Sequence, residues 1–251
     1  MIHCVTTMSK GYYNKIGKYM IQSWIKFCPE NYRLHLYLED FQIDVIDNRI
    51  ILENWADVSQ MLDHFNGNVY HESVMYKHGF TLKALTQIAL FKKLQGGKVF
   101  WIDADVVFLK TLPDDFFDSL IEDYPLAGWG EHSLESGTVW FNLDHPDWHS
   151  IQKEYESIYL GPRGLPDGER WFDGELLGRA VRDSGVTTNN LRRLTTKKTS
   201  THSNHAWTGK YLRHFKAKGK KEERFLEELR KLNLDDFIIQ VQQTDLITDN
   251  D

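Results

Sequence analysis

Long apolar runs are missing from this sequence. No stretch approaches the roughly 18 to 20 consecutive apolar residues that span a bilayer, and the opening MIHCVTTMSKGYYNK has no apolar secretory core with a small-residue cleavage site. A cytoplasmic protein of a bacterium, or of a virus in its host's cytosol, complete from its first residue, is therefore expected. Cysteine is scarce: Cys4 and Cys28 are the only two, which argues against a disulfide scaffold and a cysteine-built zinc site. No Asn-x-Ser/Thr glycosylation acceptor occurs, and there is no repeat, low-complexity tract or flexible interdomain linker. What is present is ample material for a core, with 251 residues of which 41% are hydrophobic. Residues 1–221 read as one domain, and residues 222–251 as an amphipathic helix followed by an acidic tail.

The net charge of −6 is unevenly spread, because no acidic residue lies between Asp183 and Glu222 while ten Lys and Arg residues crowd Arg192 to Lys221. Such a stretch suits a solvated surface, a nucleic-acid patch or a pocket for a phosphorylated small molecule. Periodicity predicts an α/β chain. IHCVTTM and YRLHLYLE read as strands on either side of a helix from Tyr12 to Phe27, FQIDVID as a further short strand, and ENWADVSQMLDHF as a helix. TLKALTQIALFKKL has the apolar spacing of an amphipathic helix stopped by Gly96 and Gly97, and KVFWI, apolar without alternation, suits a central strand covered on both faces. Successive strand, helix, strand units imply parallel strands. Beyond Pro113 the pattern turns mixed: strands in PLAGWG and SGTVWFNL, helices in DHPDWHSIQKEYESIY, FDGELLGRAV and EERFLEELRKL, and no clear period in KKTSTHSNHAWTGKYLRH.

Two carboxylates, Asp103 and Asp105, interrupt the apolar segment VFWIDADVVFLKTLP. In open parallel sheets ligands bind beyond the carboxyl ends of the strands, where IDAD is expected to lie. Residues two apart point to the same side of extended chain, so both carboxylates can share one hard divalent cation with a phosphate-bearing substrate. A pair of loop aspartates capping a turn is the alternative. The apolar flanks weigh against it, since they hold the segment away from solvent, where unpaired charge is costly.

The order of TLKALTQIALFKKL, KVFWIDADVVFLKTLP, ESGTVWFN, FDGELLGRAV and HAWTGK resembles nucleotide-sugar glycosyltransferases of the GT-A fold with a DxD motif. The likeness is to retaining α-galactosyl and α-mannosyl types, and more loosely to glycogenin relatives. It runs over residues 1–215 by element order, with the specific matches between Lys83 and Lys210. It implies an α/β, Rossmann-like mixed sheet with helices on both faces, a UDP- or GDP-sugar donor, a carbohydrate-containing acceptor and no nucleic-acid partner. It also implies a Mn²⁺ or Mg²⁺ ion to neutralise the leaving diphosphate. In the family pattern Asp103 touches ribose or, through water, the metal, Asp105 ligates it directly, and a late histidine completes the set; His205 of HAWTGK matches best, with His202 and His214 as competitors. Lys210 is then placed for the diphosphate and Gly209 for close backbone approach, the basic segment closing over the nucleotide as a lid.

The same resemblance places Thr6, Thr7 and Tyr12 (or Tyr13) around the nucleoside and Lys83 near the donor sugar or phosphate. Glu135, Asp173 and Glu175 become the acids facing the sugar, Asp173 having the alternative of a helix N-cap. Tyr159 and Trp171 suit an acceptor platform or the core. A nucleotidyltransferase fits less well, because VTTMSKGYYNK lacks a glycine-rich phosphate loop. A catalytically inactive carbohydrate- or nucleic-acid-binding protein is the reading from another class.

Overall fold

The first strand, β1 (Ile2–Met8), is buried on both faces and pairs in parallel with β2 (Tyr32–Leu38) on one side and β4 (Lys98–Ile102) on the other. β3 (Ile50–Glu53) extends the parallel half beyond β2. The other half is mixed. β7 (Glu135–Asn142) runs antiparallel to β4, β6 (Leu126–Trp129) antiparallel to β7, and β8 (Asn189–Asn190) parallel to β6. The seven strands lie in the order β3-β2-β1-β4-β7-β6-β8. This computed structural model describes residues 1–39, 41–45, 47–68, 74–121, 123–130, 134–161, 172–194, 207–215 and 229–231; for 66–68, 74–78, 193 and 207 only the backbone is described.

Strand alternation assigns the two faces. Cys4, Leu34, Leu36, Phe100 and Ile102 meet Met20 and Trp24 of α2 (Lys18–Phe27) and Phe116 and Leu120 of α5 (Phe116–Ile121). Val5, Tyr37, Val99, Trp101 and Phe141 meet the opposite layer of α4 (Val74–Leu94), α6 (Trp148–Leu160) and α7 (Asp173–Ser184). The protein is thus an α/β mixed sheet with helices on both faces, as the sequence implied. α2 is entered through α1 (Lys10–Tyr12) and a π-helical turn (Tyr13–Gly17).

Three expectations change. FQIDVID forms no strand among its described residues; Phe41 and Ile43 are buried without a ladder, and the strand is Ile50–Glu53, paired Leu34 to Ile50. Arg49 fixes its start by donating to the carbonyls of Cys28 and Ile25 while pairing with Asp47 at 2.8 Å. The following helix, α3 (Ala56–Asn68), accordingly starts after Glu53. α4 begins well before Thr81 and is buried on every side from Thr81 to Phe91, because α3, α6 and α7 cover what the sheet does not. A small second sheet also forms, β5 (Val106–Phe108) antiparallel to β9 (Leu212–His214); β5 continues the apolar segment around the aspartates, and β9 lies in the stretch where no period was legible. Residues 229–231 are helical, and Leu229 packs against Ile16 and Val107.

Cys4 and Cys28 are free and buried. Among the described residues no helix is long and apolar enough to cross a membrane.

Candidate functional site

β2 and β4 leave β1 on opposite sides, so the crevice beyond the carboxyl ends of β1 and β4 is the topological switch point of the sheet. Asp103 follows directly on β4. Val99 and Trp101 face α4, and Asp103 continues that alternation toward the same helix. The chain then turns instead of staying extended: Val106 N–H donates to the Asp103 carbonyl at 2.9 Å, while Asp103 N–H donates to the Gly137 carbonyl at 2.9 Å. The turn brings Asp105 against β9, whose His214 lies opposite Val106, and Phe215 N–H donates to the Asp105 carbonyl at 2.8 Å.

Asp103, Asp105 and His214 offer ligand atoms that all lie within 4.8 Å of one another. His214 Nε2 is 3.0 Å from Asp105 Oδ1 and 3.7 Å from Asp103 Oδ2, and its Nδ1 is 2.9 Å from Glu135 Oε1. Adjacent positions around an octahedral ion with bonds of about 2.1 Å are about 3 Å apart, so these spacings fit a divalent cation. One imidazole with two carboxylates suits Mn²⁺ better than Mg²⁺. Burial pulls the His214 pKa down, but its hydrogen bonds to Asp105 and Glu135 and the charge of Asp103 outweigh that and raise it to about 10. The imidazolium is a counter-charge to these acids, and a cation held by the same groups would take the place of its Nε2 proton.

The other oxygen of Asp103 is already engaged. Oδ1 accepts from Lys83 Nζ at 2.6 Å and from Trp101 Nε1 at 2.8 Å, leaving Oδ2 toward His214. Lys83 also pairs with Asp173 Oδ2 at 2.9 Å and donates to the Ser136 carbonyl. Burial alone lowers the Lys83 pKa, yet Asp103 and Asp173 hold it above the ordinary lysine value. Asp173 reaches this cluster because Gly174 lets α7 start hard against the chain at Leu134: Leu134 N–H donates to the Gly174 carbonyl at 3.0 Å, and a Cβ on Gly174 would lie 1.9 Å from the Leu134 carbonyl oxygen. Phe172 takes the N-cap position, so Asp173 is the first helical residue, with Glu175 in the same turn.

The remaining sequence-derived positions spread around this centre. Tyr12, an exposed residue whose ring end lies against the site, donates its hydroxyl to Asp105; burial of that hydroxyl first, then the charges of Asp105 and Asp103, pushes its pKa up. Thr6 is buried at the end of β1, and the Thr7 hydroxyl donates to the Tyr37 carbonyl at 3.1 Å. Gly209 and Lys210 belong to the 3-10 turn Trp207–Lys210 that feeds β9. His205, His202 and Trp171 lie outside the described residues. Tyr159 belongs to the core, stacked edge-on against Tyr155. Phe172 instead is exposed beside Asp173, in edge contact with Phe80. Sequence reasoning missed Trp101 as an anchor of Asp103 and named His214 only as a competitor. The available signal was the alternation of Leu212 and His214 around Arg213, too short to read as a strand.

No protein-family profile matches the chain, and no curated protein does. Among solved structures the chain is similar to the galactosyltransferase LgtC in complex with donor and acceptor sugar analogues, at 15% identity and TM-score 0.49, covering 91% of this chain and 95% of that one. It is also similar to mouse xyloside xylosyltransferase 1, at 11% identity and TM-score 0.46 over 76% of this chain and 86% of that one. A glycosyltransferase involved in glycosylation of the major capsid of PBCV-1 matches at 13% identity and TM-score 0.46, over 89% of this chain and 98% of that one. None of these three reaches a TM-score of 0.5.

Proposed function

We propose that the protein is a metal-dependent GT-A glycosyltransferase that moves a sugar, with retention, from a UDP- or GDP-sugar to a glycan, lipid-linked or protein acceptor. One observation carries the reading: Asp103, Asp105 and His214, drawn from two separate segments, converge at the switch-point crevice with the spacing of a divalent cation's ligands. Asp105, His214 and the Oδ2 oxygen of Asp103 are the groups that would hold the ion. A cation held there supplies Lewis-acid stabilisation of the negative charge that grows on the leaving diphosphate. Lys83 and Trp101 hold the Asp103 carboxylate in one orientation, so that it costs no reorganisation as charge develops. Asp173 and Glu175, both in the first turn of α7, are the acids assigned to the sugar carbon that becomes positive as its bond to the phosphate breaks. Thr7 and Tyr12 are the groups assigned to the nucleoside end and Gly209 and Lys210 to the diphosphate, whereas Thr6 is wholly buried and has no surface to offer a donor.

The test is release of UDP or GDP from a panel of nucleotide sugars, with Mn²⁺ and with EDTA. The expected result is metal-dependent release from at least one sugar. Metal-dependent pyrophosphate release from nucleoside triphosphates, with no action on any nucleotide sugar, would favour nucleotidyl transfer. No turnover together with steeply salt-dependent oligonucleotide binding would favour a binding protein.

A further inference from the structure

We infer that Glu135 is a positioning residue for His214, seating the imidazole against Gly137 so that Nε2 faces the cation. The inference rests on the reading of Asp103, Asp105 and His214 as a metal site, and it gives Glu135 a different role from the sugar-facing acid that the sequence suggested. The two ring nitrogens of His214 have separate duties. Nε2 faces Asp105 and Asp103, whereas Nδ1 lies 2.9 Å from Glu135 Oε1. A nitrogen that ligates a metal carries no proton, so the proton of the neutral ring sits on Nδ1, where the Glu135 carboxylate accepts it; this acceptance selects the tautomer and the ring's direction. Only 7% of the Glu135 side chain and 5% of that of His214 are exposed, so water competes little for this bond.

Gly137 supplies the second half of the seat. It stands two residues after Glu135 on β7 and so faces the same side of the strand. A Cβ at Gly137 would lie 2.4 Å from His214 Cε1 and 2.5 Å from Nδ1, so the ring occupies the space that any other residue's side chain would fill. The Gly137 carbonyl meanwhile accepts from Asp103 N–H. β7 therefore ties together the first aspartate and the histidine, which reach the site from β4 and β9.

Mn²⁺ binding to the full chain, followed by electron paramagnetic resonance of the free ion without nucleotide or sugar, tests this in wild type, Glu135→Ala, Glu135→Gln and Asp105→Ala. Glu135→Ala is expected to weaken Mn²⁺ binding about 10- to 100-fold, the range for loss of an outer partner of a ligating histidine. Glu135→Gln keeps an acceptor oxygen and is expected to restore most of that loss, which a merely structural disturbance would not allow. Asp105→Ala is expected to abolish binding. Wild-type affinity in Glu135→Ala, with binding lost in Asp105→Ala, would overturn the positioning role and leave the metal site standing. A loss in Glu135→Gln as complete as in Asp105→Ala would also overturn it, because the carboxylate would then be a direct ligand. Wild-type affinity in Asp105→Ala would overturn both readings.

Discussion

Lys83 shows how few groups this site leaves uncommitted. Its ammonium donates to Asp103 and to the Ser136 carbonyl and stands 2.9 Å from Asp173 Oδ2 as an ion pair. Replacing it by Met leaves two inward-facing carboxylates without their cation, and breaking a buried pair from one side costs about 3–5 kcal/mol. Urea unfolding of Lys83→Met is expected to show a loss of that size, and a loss below about 1 kcal/mol would mean that Lys83 is not the counter-charge of the cluster. Gly174 makes a second case, since a Cβ has no room against the Leu134 carbonyl. Gly174→Ala is expected to push the start of α7 away and cost about 1–3 kcal/mol, the usual penalty for overpacking. At this scale the sequence was partly legible. Asp103 and Asp105 stand out because charge in an apolar run is conspicuous; Trp101 does not, because an indole in a strand looks like core until its N–H is seen to donate to Asp103.

Elements decide where these residues meet, and they differ in how plainly they can be read. β1, β2 and β4 are long enough, and apolar enough on both faces, to announce themselves. β3, β5 and β9 have only three or four residues each, and their pairing is set by neighbours that are remote in sequence. His214 was therefore hard to single out, although β9 holds it against Asp105.

The β1, β2 and β3 ladder also carries a polar chain unrelated to the candidate site. His3 Nδ1 lies 2.8 Å from His35 Nε2, His35 Nδ1 lies 2.6 Å from Glu53 Oε1, and Glu53 pairs with Lys93. With Glu53 ionised, His35 donates to it and accepts from His3. Burial, then the nearby His35, the N-terminus and Arg33, lowers the His3 pKa from 6.5 to about 4. The unfolded chain thus takes up this proton at higher pH than the folded one. The resulting stabilisation is present above pH 6.5 and is lost as pH falls toward 4. The melting temperature is expected to fall across that window, and less steeply in His3→Gln; equal slopes would contradict the assignment.

At the scale of the molecule, the switch point of the seven-stranded mixed sheet gathers an aspartate pair from the turn after β4, a histidine from β9 of the small second sheet and a third acid from β7. The α/β architecture could be read from the order of apolar runs. The site's closure could not, because it depends on a register between segments far apart in the chain. A crystal grown with Mn²⁺ and either UDP or GDP tests the central claim most directly. The expected result is an anomalous manganese peak shared by Asp105 and His214 Nε2, with diphosphate oxygens on the same ion beyond the carboxyl ends of β1 and β4. Manganese absent from those residues, or a nucleotide bound elsewhere without touching it, would contradict the account.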